Sequence, residues 1–103
     1  MDPWLTLVAA GVFEVGFTTC LKLEERSKWF IVPFLICAAI SFTLLSDAMR
    51  TIPLGTAYAV WTGIGAVGTV LVGRLAFGEQ LRPAAWALLG VVVATIIGLK
   101  VLA

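Results

Sequence analysis

The stretch WLTLVAAGVFEVGFTTCL, Trp4–Leu21, decides what kind of chain this is. It is close to the roughly 20 residues that an α-helix needs to cross a bilayer. It stops abruptly at the charged run Lys22-Leu23-Glu24-Glu25-Arg26-Ser27-Lys28, and inside it stands a single ionisable residue, Glu14. Three more apolar blocks follow. One runs from Trp29 to about Ala48 and gives way to Arg50-Thr51-Ile52-Pro53. Another runs from Gly55 to Phe77 and gives way to Gly78-Glu79-Gln80-Leu81-Arg82-Pro83, and the last begins at Ala84. The predicted fold is an all-α membrane protein with four transmembrane helices, at about 4–22, 29–48, 55–77 and 84–102, in one transmembrane domain over residues 1–103.

Composition points the same way. Of 103 residues, 61% are hydrophobic and 13% charged, and the mean hydropathy is +1.08. A soluble domain carries about 25% charged residues, and one this small cannot bury so much apolar surface. A soluble helix bundle would also show a charged face on each helix, whereas these blocks are apolar on every side. Trp4, Trp29 and Trp86 lie near block ends, where an aromatic belt places them. The opening Met1-Asp2-Pro3 lacks a basic n-region, and Glu14 interrupts what would be the apolar core of a signal peptide, so the segment is expected to be mature sequence.

Several function classes drop out. A net charge of +1 leaves no basic stripe for nucleic acid. Histidine, the commonest metal ligand and general base, is absent. Cys20 and Cys37 are too few and too far apart for a zinc site or a disulfide framework, and they are expected to be buried fillers. Neither a metal nor a cofactor is expected, and nothing points to an enzyme.

Glu14 is the candidate for chemistry. At 1.5 Å per residue, its place about eleven residues after Pro3 sets it roughly 16 Å along the helix, near the bilayer midplane. An acid there costs at least a few kcal/mol and is expected to face a bundle interior or a water-filled cavity. Such a carboxyl group can hold a proton or a cationic ligand, and exchanging one for the other couples two fluxes. Gly11, Phe17 and Thr18 share its helical face. Gly11 leaves room for a ligand or a close helix, and Phe17 offers an aromatic wall. In the third block, Tyr58 and Trp61 are neighbours on one face, each with a polar group and a π surface suited to cations. Gly63, Gly65 and Gly68 suggest a hinge or close packing. Ser41 in the second block can donate to a carboxylate or bond its own backbone. Gly90, Ala94 and Gly98 in the fourth form a small-residue groove that suits helix association, making this block the expected oligomerisation helix. In a dimer two Glu14 side chains could face one cavity.

Taken together, Glu14, Ser41-Phe42, the run Pro53-Leu54-Gly55-Thr56-Ala57-Tyr58-Ala59-Val60-Trp61-Thr62-Gly63-Ile64-Gly65 and the glycine-bearing fourth block resemble a small multidrug resistance transporter. The resemblance covers essentially the whole length. Trp61-Thr62-Gly63-Ile64-Gly65-Ala66-Val67-Gly68 and Ile97-Gly98-Leu99-Lys100 are most like the guanidinium-exporter subtype. It implies a proton-coupled antiporter of small organic cations in the bacterial inner membrane, working as an antiparallel, dual-topology dimer. It implies that Glu14 binds proton and cation in turn, that Ser41 and Trp61 place it, and that Tyr58 acts in the pocket and its gating. Where that subtype usually has tryptophan three residues after the glutamate, this chain has Phe17, which keeps quaternary-ammonium or aromatic-cation export as an alternative; a non-transporting membrane subunit is another. Lys22, Arg26, Lys28, Arg74 and Arg82 on one side, against Arg50 and Lys100 on the other, lean toward an outside N-terminus but do not fix one topology; a homodimer is expected, with a heterodimer of related chains as the alternative.

Overall fold

The computed structural model describes residues 2–102. Its elements are α1 (Pro3–Glu24), a 3₁₀ turn at Lys28–Phe30, α2 (Ile31–Ala48), α3 (Leu54–Ala76) and α4 (Pro83–Leu102), with no strand among the described residues. Among the described residues, four helices are long and apolar enough to cross a membrane.

Local chemistry sets the helix ends. The Asp2 carboxylate accepts the Trp4 N–H at 2.8 Å, and Pro3 occupies the first helical position, where a missing N–H breaks no bond. The second helix opens as a 3₁₀ turn through Trp29 before becoming α-helical at Ile31. Pro33 then falls in the first turn of α2, where its ring is tolerated. Beyond α3, Gly78 has φ +68°, a conformation in which glycine carries no Cβ penalty. That turn lets the N–H groups of Phe77 and Glu79 both reach the Gly73 carbonyl, at 3.2 and 3.0 Å.

Helix α1 is the centre of the molecule, packed against α2 on one side and α3 on the other, while α4 leans on α3. The buried core includes Leu7 and Ala10 of α1, Leu45 of α2 and Ala57, Val60 and Trp61 of α3. It therefore lies toward the N-terminal end of α1. Short connections make α1 and α3 parallel, and glycines allow their close approach. A Cβ at Gly11 would stand 2.5 Å from Ile64 Cγ2, one at Gly65 would strike the Glu14 carboxyl group, and one at Gly68 would strike Val15. Large apolar side chains such as Trp29 (83% exposed) and Val101 (76%) point outward, onto the surface a bilayer covers. No residue of α4 is buried.

Candidate functional site

Glu14 projects from the middle of α1 toward α3 and lies against Gly65. Its Oε1 is buried without a hydrogen-bond partner. Among the described residues no donor reaches this acceptor, which leaves the cost of burying it unmet. Gly65 is what admits the carboxyl group, because any side chain there would fill the same space.

One turn before Glu14, three helices are joined through a single hydroxyl. Ser41 of α2 is fully buried and donates to the Ala10 carbonyl of α1 at 2.7 Å. The same Oγ accepts from Trp61 Nε1 of α3 at 3.0 Å. Ser41 thus bonds α1 backbone in this conformation rather than the Glu14 carboxylate. One turn after Glu14, Thr18 Oγ1 and Thr69 Oγ1 lie 2.8 Å apart and join α1 to α3 again. The acid sits between these two crosslinks.

Aromatic rings line the α1–α2–α3 junction. Phe17 meets Phe34 edge-on at 5.9 Å between centroids and stacks on Phe42, also at 5.9 Å. Phe42 contacts Trp61 at 5.4 Å, and Trp61 contacts Tyr58 at 5.6 Å. Trp61 is 6% exposed and Tyr58 56%, so the run leads from the core to the outer face of α3. Rings at such separations offer π faces that attract cations. No Lys or Arg occurs in the spans between Pro3 and Leu21, Ile31 and Ala48, or Leu54 and Gly73.

Phe17 and Trp61 are thus linked through Phe42, Ser41 bonds Trp61, and Tyr58 stands at the outer end of that run, while the neighbour of the Glu14 carboxyl group is Gly65. Gly11 does not open onto that carboxyl group: Ile64 fills the space beside Gly11, so its missing side chain serves the close helix approach. Gly63 and Gly65 lie within an unbroken α3, where Gly63 is covered by Ile96 and Val92 of α4 and Gly65 by Glu14. In this conformation both serve packing. Gly90 and Gly98 have nothing within 4 Å of a built Cβ, and Ala94 is exposed, so the small-residue face of α4 is open. The Thr18–Thr69 bridge and the bridging role of Phe42 were not foreseen. Thr18 was visible on the Glu14 face, but its partner lies 51 residues away.

Comparison with known proteins meets this geometry from another direction. The chain is 48% identical over 99 residues, 94% of either chain, to guanidinium exporters of Citrobacter freundii and Salmonella typhimurium. It is 41% identical over 102 residues, covering 96% of this chain and 97% of the relative, to a probable guanidinium efflux system subunit GdnD of Bacillus licheniformis. The family model described as Small Multidrug Resistance protein matches residues 2–92, which takes in α1, α2, α3 and half of α4. With four membrane-length helices and kinship along nearly its whole length, the chain belongs to the small multidrug resistance family, whose members are membrane transporters and not enzymes.

Proposed function

We propose that the chain exports guanidinium, or a substituted guanidinium ion, in exchange for protons across the bacterial inner membrane. The observation that carries this is the Glu14 carboxyl group, half-buried mid-helix, with a buried Oε1 that has no hydrogen-bond partner among the described residues. Guanidinium is planar and rich in N–H donors, and it matches a carboxylate in charge and fork geometry. Proton and cation compete for the same oxygen atoms, so each is released when the other arrives. Trp61 and Tyr58 supply π faces to the cation, and Ser41 holds Trp61 in place. The names of the relatives support this substrate class.

The working unit in this reading is an antiparallel dimer, in which α1–α3 of both copies surround a shared cavity and α4 joins the copies through Gly90, Ala94 and Gly98. Gly63 and Gly65 are its flexible points during alternating access. Because one relative is named as a subunit, pairing with a related chain is a second arrangement.

Phe17 favours a second reading. It stacks on Phe42 and meets Phe34 edge-on, an apolar wall without an indole N–H, which suits quaternary-ammonium or aromatic cations. Solid-supported membrane electrophysiology on the purified protein in liposomes separates the two. Currents with guanidinium and none with tetraalkylammonium ions are expected; the reverse would establish the second reading, and silence with every cation would overturn both.

A further inference from the structure

The α1–α2 seam carries two thiols that the transport reading does not use. Cys20 lies toward the C-terminal end of α1 and Cys37 in the first half of α2; both are free and half-buried. The two helices are antiparallel neighbours, and side chains on a helix lean toward its N-terminus. Cys20 and Cys37 therefore lean toward each other. Cys37 Sγ covers Gly16, 3.3 Å from where a Cβ would stand, and Cys20 follows Gly16 by one turn on the same face of α1. The two thiols thus share the Gly16 face of the seam, one helical turn apart along α1. Gly16 makes room for Cys37, and the Phe17–Phe34 contact closes the seam nearby.

We infer that Cys20 and Cys37 together form a two-coordinate site for a soft divalent cation of the mercuric type. Thiolates select soft metal ions. Zinc would require further ligands, and the described residues hold no group of three or more His, Cys, Asp or Glu able to hold a metal ion. Binding converts two thiols and Hg²⁺ into a neutral S–Hg–S bridge and releases two protons to solvent. Neutrality matters at this depth. A monovalent ion on two thiolates would leave a net negative charge in apolar surroundings, whereas the divalent bridge leaves none.

The test titrates reduced, purified full chain in detergent with mercuric chloride. It follows sulfur-to-mercury charge-transfer absorbance and counts the thiols left after denaturation. One equivalent per chain should consume both thiols, with the chain remaining uncrosslinked on a non-reducing gel. Cys20→Ser and Cys37→Ser each lose the second anchor and should yield mercury to competing glutathione about 100-fold more readily, the usual scale of a two-point attachment. Cys20→Ala and Cys37→Ala repeat the comparison should a hydroxyl in the seam impair folding. A requirement for two equivalents, a chain-to-chain bridge, or a single-thiol variant that holds mercury as well as the natural protein would overturn the inference.

Discussion

Ser41 has one hydroxyl and two neighbours that depend on it. Replacing it with alanine leaves the buried Trp61 Nε1–H without its acceptor, and an unpaired buried donor costs about 1–3 kcal/mol. Ser41→Ala should therefore lower the thermal stability of the purified protein and weaken guanidinium binding about tenfold or more, read by a melting curve and by isothermal titration. Ser41→Thr, which keeps the hydroxyl, should recover much of both. Glu14→Gln keeps size and removes the titrating oxygen. It should abolish coupled proton movement in a liposome pH-dye assay, and retained coupling would reject the role proposed for Glu14. Phe17→Trp restores an indole N–H and should move selectivity toward guanidinium in the current ratio. At this scale the sequence showed Glu14 plainly, because an acid within an apolar helix announces itself. It did not show that Ser41 bonds Ala10, since a hydroxyl's partner depends on which helix lies beside it.

Among the elements, the α1–α3 contact is the most exacting. Gly65→Ala would drive a Cβ into the Glu14 carboxyl group, and Gly68→Ala would strike Val15. Gly65→Ala should therefore displace the acid and remove transport even where the helices still associate. Gly16→Ala makes a useful contrast, because its Cβ would meet Cys37, at 3.3 Å from Sγ and 3.8 Å from Cβ, and a shift of a few tenths of an ångström accommodates it. Side-by-side melting curves and guanidinium currents should show Gly16→Ala near the natural protein and Gly65→Ala inactive. The four blocks were legible as helices from length and hydropathy. The 3₁₀ opening before α2 was not, because an apolar block looks the same whether its first turn is tight or regular. The glycines of α3 read equally well as hinge or packing until their neighbours were known.

For the whole molecule the open feature is α4, which buries no residue and presents Gly90, Ala94 and Gly98 to empty space. A bulky residue there cannot disturb packing within the chain, so Gly98→Leu should leave the monomer folded and break the proposed assembly. Cross-linking in detergent should then show monomers, and unchanged dimers would count against α4 as the contact. The split between the two levels of information follows from range. Membrane character, the number of spans and the buried acid were written in sequence because hydropathy and charge are local properties that lipid reads residue by residue. Which hydroxyl supports which indole, which glycine receives the Glu14 carboxyl group, and that Cys37 packs over Gly16 were decided by tertiary structure. Helix register and tilt arise from the fit of entire surfaces, and no single residue carries that information.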